Sequence, residues 1–374
     1  MFESILRLTP GEFKKRHIMA VDISTSAISA VLALRHENTE IIEISKTLRC
    51  PLNLFGENFS GSLVQHILQE GILKIFKDAH AVSRHADLIT VVLSDPFFSD
   101  LTFLKKIYRP HPEAKVSEGE VALLFRDLEK AAKHGGNAAL VRVGSEILSS
   151  KINGYEVPTA GGYKGKSIEI SAVFTFMNQF MMEAIAGAQE KFFPRSHLGY
   201  ISDSMLMRRT LQKLRALDEP AILFDIDGET TGIYFLSGDS IEHLGISAFG
   251  IKTLERRFSP LSRYADDMLE ENLKAKTETA LKPAILDWWE GLSPYLKNLE
   301  ERGFPKKCYI AGREQAADIF LPHLSNYLKS FFGFEPDLKM FSLEPLRDYF
   351  HPASIISKKQ DILLASLLYE HDKK

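Results

Sequence analysis

Two short segments of this chain carry the same order of residue types, and together they could hold a polyphosphate. The first, Asp22-Ile23-Ser24-Thr25-Ser26, closes an apolar run that begins at His17 and precedes a second apolar run from Ala27 to Leu34. The second, Asp225-Ile226-Asp227-Gly228-Glu229-Thr230-Thr231-Gly232, lies between apolar runs that begin at Ala221 and Ile233. Each reads as strand, polar turn, strand, and the recurrence reads as an internal duplication. Two such turns facing each other across a cleft would offer backbone N–H groups and the hydroxyls of Ser24, Thr25, Ser26, Thr230 and Thr231 to phosphate oxygens. Gly228, beside Glu229 in the second turn, would let the backbone come close. Asp22 and Asp225, at the strand ends, would hold a hydrated cation such as Mg. The plainer alternative is two ordinary hairpins with polar turns.

Other segments promise less chemistry. Ala160-Gly161-Gly162-Tyr163-Lys164-Gly165-Lys166-Ser167 lacks only the first glycine of a phosphate-binding P-loop, but a P-loop must lead into a helix. The β-branched stretch from Ser167 to Phe176 predicts a strand, so a glycine-rich turn is the reading. The twelve histidines show no paired ligand spacing, and Cys50 and Cys308 stand alone, which excludes a zinc motif and a disulfide framework. Phe176, Met177, Phe180, Met181 and Met182 read as the buried side of a helix. Of Trp288 and Trp289, one is expected in the core and its neighbour exposed.

The elements that must position the turns follow from pattern. With 374 residues, the chain has length for two or three subdomains. Lys plus Arg total 46 against 49 Asp plus Glu, without a block of one sign, which does not suit a nucleic-acid binder. No run of about 18 apolar residues exists to span a bilayer, and a cytoplasmic protein is expected. Residues 1–16 are an N-terminal arm, with an interfacial anchor as the alternative. The opening order is strand, strand, strand, helix, strand. A unit from 95 to 194 then contains a strand near Thr102–Arg109 and a helix whose Ser117 and Glu120 have the spacing of a capping box. Strands at Ala138–Ile147 and Ser167–Phe176, a turn at Asn153-Gly154 and a helix from Asn178 to Phe192 complete it. Beyond the second hairpin the pattern predicts helices around Ala265–Lys276 and from Pro283 to Arg302, with proline in the first turn. A strand Cys308–Ala311, a helix Gln315–Phe331 and a closing helix Asp361–Tyr369 follow.

These motifs resemble the actin-like ATPase superfamily, and among its members the FtsA family of cell-division proteins. The family's phosphate motifs, Asp-Ile-Gly-Thr-Thr and Asp-Ile-Gly-Gly-Gly-Thr-Thr-Asp, are met by the two segments above. Its adenosine motif, a strand followed by a glycine pair, is matched by Tyr309-Ile310-Ala311-Gly312 and continues with Arg313. Asp266–Lys276 lies where the family places a helix beside adenine and ribose. Asn153 to Pro158 with Gly162 and Gly165 is similar to part of the family's inserted subdomain. The resemblance implies an α/β, two-lobed actin-like (duplicated ribonuclease H-like) fold with a small α+β insertion. The first lobe would comprise 17–94, completed by 195–219 and 350–374, the insertion 95–194, and the second lobe 220–349. It implies ATP with Mg at Ser24, Thr25, Ser26, Gly228, Glu229, Thr230, Thr231, Gly312 and Arg313.

Departures from the motifs bear on that expectation. Ser24, Asp227 and Glu229 stand where the family has glycines, and like charges about 4 Å apart repel by about 4 kcal/mol at an effective dielectric of 20. Either the two carboxylates point away, or they help hold a cation, or nucleotide binding has decayed. The resemblance implies a scaffold at the inner face of the cell membrane that recruits the tubulin-like division protein FtsZ and self-associates through its insertion. The end at Tyr369-Glu370-His371-Asp372-Lys373-Lys374 lacks the family's amphipathic helix. This favours the rival reading of a PilM-like adaptor holding a pilus inner-membrane partner. A third rival, a small-molecule kinase of the same superfamily, would need a general base, and no base motif is recognisable.

Overall fold

A computed structural model describes residues 15–36, 41–54, 61–135, 140–238, 240–253, 256, 270–312, 316–352, 365 and 367. Residues 1–14 of the expected N-terminal arm and most of the closing helix lie outside them, while Lys15 and Arg16, assigned to the arm, open the first strand; Ala365 and Leu367 are helical and buried.

The first sheet is built on β1 (Lys15–Ile23), β2 (Ala27–His36) and β3 (Ile42–Pro51), joined antiparallel. Strands β4 (Leu88–Leu93) and β9 (His197–Ser202) extend it in parallel beyond β1, and β15 (Phe350–His351) borders β3. The second sheet repeats the plan. Here β10 (Ala221–Ile226), β11 (Thr231–Leu236) and β12 (Ile241–Ser247) form the meander, and β13 (Lys307–Gly312) and β14 (Asp337–Met340) add in parallel beyond β10. β1 and β10 are the central strands, covered on both faces, which is why they read as near-continuous apolar runs.

Helices cover the sheets. On the first, α1 (Gly61–Val82) buries Leu68, Ile72, Ile75, Phe76 and Ala79, spaced at three and four residues along one face. The helix α3 (Gln179–Phe192), expected within the insertion, packs instead on α1 and adds Met181, Ile185 and Ala188 to the first core. Met177 also belongs to that core, but from a strand. On the second sheet, α5 (Glu270–Leu296) runs unbroken through Pro283, where a helix start was expected. Burial of Ala284, Ile285, Trp288, Leu292 and Leu296 on one side outweighs the one backbone bond that proline removes. Trp289 is buried as well, stacked on Tyr327 of α6 (Ala316–Phe332) with ring centroids 5.2 Å apart.

The inserted unit is a four-stranded antiparallel sheet in the order β5 (Phe98–Tyr108), β8 (Ser167–Asn178), β6 (Leu140–Ile152), β7 (Tyr155–Val157). One helix, α2 (Glu118–Gly135), lies across it through Leu124, Leu128 and Ala132. Asn153 and Gly154 take the positive φ values of 53° and 86° that a two-residue hairpin turn demands. The glycine-rich segment leads into β8, a strand, as expected. The capping box forms: the Ser117 amide donates to Glu120 (2.8 Å) and the Glu120 amide donates to Ser117 Oγ (3.2 Å).

Arg109 ties this unit together. Its buried guanidinium donates to the Glu120 carboxylate and to the carbonyls of Ala114, Lys115 and Gly165. That hydrogen bond, then the Ser117 amide, holds the Glu120 carboxyl down at about 2. The tie is therefore complete above the ordinary glutamate range and is lost as pH falls through about 2. Arg109→Ala should cost about 3 kcal/mol, since it strands carbonyls and a carboxylate around a buried position. Thermal melts at neutral pH should show that loss, and the gap between wild type and Glu120→Gln should narrow in melts towards pH 2.

Candidate functional site

The two polar turns meet. The Thr25 amide and hydroxyl both donate to Oδ2 of Asp227, at 2.6 and 2.7 Å, and the Thr25 hydroxyl in turn accepts from the Glu229 amide at 2.9 Å. A Cβ placed on Gly228 would lie 2.8 Å from the Ser26 Cα, so the backbones are in van der Waals contact there. The first turn is braced internally by Ser24 Oγ, which bonds Ser26 Oγ (2.9 Å) and the Ala27 carbonyl (3.1 Å).

The second turn is braced from behind. The Asp227 and Gly228 carbonyls accept from the Ile251 and Lys252 amides at 3.0 and 2.8 Å. Gly250 sits so tightly against these carbonyls that no side chain fits. Lys252 reaches back across the junction to the carbonyls of Ser26 (3.3 Å) and Leu52. Glu229 is buried, and its carboxylate takes a two-pronged hydrogen bond from Arg256 at 2.7 and 2.5 Å.

The remaining expected residues divide. Thr230 Oγ1 approaches the Asp95 carbonyl at 3.4 Å. Thr231 Oγ1 is engaged twice, donating to the Phe249 carbonyl (2.8 Å) and accepting from Trp288 Nε1 (3.0 Å). Gly312 ends β13 in register with Ile226, and Arg313 lies outside the described residues. The side chains of 266–276 are likewise outside them. Asp22 and Asp225 are buried at the ends of the central strands, and Ser94 Oγ donates to Asp22 at 3.3 Å. Among the described residues no three His, Cys, Asp or Glu side chains stand where they could hold one metal ion.

Beside the turns lies a junction that sequence reasoning missed. Asp95, following β4, accepts from Tyr234 Oη of β11 and pairs with His243 Nε2 of β12 at 3.4 Å. Burial works against the charge of His243, but the hydrogen bond and charge of Asp95, with Asp100 behind it, outweigh that and raise its pKa. Asp100 is itself buried, which raises its own pKa against the lowering hydrogen bonds of Ser202 (2.5 Å), Thr175 (2.6 Å) and Ser204 (2.9 Å). None of these residues forms a local motif; β4, β11, β12 and the start of α4 (Asp203–Lys213) bring them together.

The chain has the two-lobed actin-like fold. A chain of the PilM-PilN type IV pilus biogenesis complex superposes with a TM-score of 0.57 and 13% identity, covering 94% of this chain and 98% of that one. EutJ, the ethanolamine utilization protein of Carboxydothermus hydrogenoformans, gives a TM-score of 0.42 at 12% identity, over 96% of this chain and 91% of its own. A Bacteroides thetaiotaomicron protein with an actin-like ATPase fold and unknown function gives 0.39 at 13% identity, over 87% and 91%. No family model and no curated protein matches the sequence.

An actin-like fold implies ATP with Mg between the lobes, and the residues here do not fit a polyphosphate. Both donors of Thr25 are spent on Asp227, Ser24 and Ser26 are bonded to each other, and the second turn is pressed against Ser26. Asp227 points at the Thr25 donors that the sequence offered to a phosphate oxygen, rather than away from them as one of the expected alternatives had it. A phosphate there would also meet an anionic side chain in a setting of low dielectric.

Gly228→Ala should force the turns apart and lower the melting temperature by several degrees, while Gly238→Ala, with open space around it, should change nothing. The His243–Asp95 pair contributes stability that is complete below the ordinary histidine pKa and is lost as pH rises through the raised folded value. Melts of wild type and His243→Gln should therefore differ most at mildly acidic pH and converge towards alkaline pH.

Proposed function

We propose that this chain is an actin-like adaptor that works by holding a partner protein and does not turn over nucleotide, of the kind used in type IV pilus assembly. The observation that carries this reading is where the exposed apolar side chains lie. Among the described residues, six of the ten large exposed hydrophobics sit on the inserted unit: Leu104, Tyr108, Leu123, Ile147, Tyr155 and Tyr163. Scattered apolar residues are ordinary on a surface, but such a concentration on one small unit suits a part of the molecule that binds a partner.

The arrangement on β5 supports it further. This strand lies at the sheet's end, and Phe103 and Ile107 face its core while Leu104, Lys106 and Tyr108 face outward, with Leu104 58% and Tyr108 78% exposed. An edge strand with apolar side chains on its open face can receive an extended segment, with main-chain bonds giving affinity and side chains giving selection. The PilM-PilN neighbour is a complex of type IV pilus biogenesis, and its match over nearly the whole chain supports a pilus-assembly partner over FtsZ. Among the described residues no helix is long and apolar enough to cross a membrane.

The test is co-purification of the full chain with a PilN-type protein and, separately, with FtsZ. The expected result is retention of the PilN-type protein, lost at least tenfold in the Leu104→Asp/Tyr108→Ser variant. Retention of FtsZ instead would move the chain to the division-scaffold reading. Nucleotide-dependent phosphorylation of a sugar would overturn both.

A further inference from the structure

We propose that Asp227 is a built-in ligand of the Thr25 turn, a side-chain carboxylate doing there what a bound phosphate would do, so that the lobes are held shut by the protein's own anion. A carboxylate and a phosphate present the same feature to this turn, an anionic oxygen able to accept from an amide and a hydroxyl at once. Asp227 Oδ2 accepts from both donors of Thr25, at 2.6 and 2.7 Å. The acceptor belongs to the second lobe and the donors to the first, which makes the bond a clasp between lobes and not a local turn contact.

Three features mark the clasp as built. First, its position is fixed from both sides: the Asp227 amide donates to the Thr230 carbonyl at 2.9 Å and its carbonyl accepts from Ile251, so the side chain projects from a rigid hairpin. Secondly, the Thr25 hydroxyl completes a chain, donating to Asp227 Oδ2 and accepting from the Glu229 amide, so the hydroxyl is used both as donor and as acceptor. Thirdly, the other carboxylate of the turn is kept from opposing Asp227 by Arg256, whose charge Glu229 takes. Asp227 and Glu229 fill the positions that distinguish this turn from a phosphate-binding one. Both are used, one as the ligand across the cleft and one as the anchor of the cation above it.

The consequence is that closure does not depend on nucleotide. A phosphate could enter only by displacing Asp227 from two charge-assisted bonds and parting Gly228 from Ser26. The inserted unit and the second lobe are thereby presented to any partner in one constant relation. This inference stands on the turns alone and is independent of which protein the insertion holds.

Thermal melts of the full chain test it, with and without millimolar Mg-ATP, Mg-ADP or inorganic phosphate, since a ligand of the native state raises its stability. Wild type should show no ligand-dependent shift. Thr25→Val, which keeps the shape but loses the hydroxyl, should melt about 5 °C lower, and Thr25→Ser, which keeps it, should melt close to wild type. Hydrogen exchange should be faster at the amides of 24–26 and 228–230 in Thr25→Val alone. Asp227→Gly/Glu229→Gly should melt lower than wild type without ligand and regain part of the loss with Mg-ATP. Stabilisation of wild type by millimolar Mg-ATP or phosphate would overturn the proposal, as would equal melting and exchange in the Val and Ser variants. If the double glycine variant does not fold, the Val and Ser pair decides alone.

Discussion

The contact between Thr25 and Asp227 is the constraint on which the rest of this molecule depends. Each residue sits in the turn that follows a central strand, and each central strand is hydrogen-bonded on both sides within its own sheet. Joining the two turns therefore joins two whole sheets. Two more crossings flank it, Asp95 to Tyr234 and His243 on one side and Lys252 to Ser26 and Leu52 on the other. The buried Arg208 of α4 adds a further one, donating to the carbonyls of Ser237 and Gly238.

Buried charge is what gives these crossings their strength. A carboxylate inside a protein is costly unless its oxygens are met by donors, and donors that are lost leave it uncompensated. Asp227 is met at Oδ2 by an amide and a hydroxyl, Glu229 by a guanidinium, and Asp95 by a phenol and an imidazole. Each partner comes from another strand, helical turn or lobe, so opening the cleft would strand several charges together. The same logic, on a smaller scale, holds the insertion, where Arg109 gathers three carbonyls and Glu120 around one buried guanidinium. With its own core of Leu124, Leu128, Ile170 and Phe174, this unit keeps a fixed outer face without help from the cleft.

Local features were readable from the residues alone. Both Asp-Ile hairpins, the Ser117–Glu120 capping box, the Asn153-Gly154 turn and the strand after the glycine-rich segment depend on neighbours within a few positions. Elements whose identity depends on distant packing were not. The helix Gln179–Phe192 has an apolar face that either the insertion or α1 could have buried. Pro283 looked like a helix start because the apolar face that carries the helix through it is matched only by the second core. β9, β12 and β14 are short strands made by their neighbours in the sheet, with no alternation strong enough to announce them. Lys252 and Arg256 were passed over for the same reason: nothing near them in sequence shows what they reach.

By itself, the sequence determined that two Asp-turn hairpins would recur around an inserted α+β unit, because strand, turn and cap are settled by short-range sterics and hydrogen bonding. It also showed that carboxylates stand at Asp227 and Glu229 where the resembling motifs have glycine. Whether those carboxylates would point away, hold a cation or replace a ligand could not be read from the chain, since a side chain's direction depends on what faces it. Only the tertiary structure, by bringing Thr25 and Ser26 against a turn some two hundred residues away, decided that Asp227 fills the cleft itself.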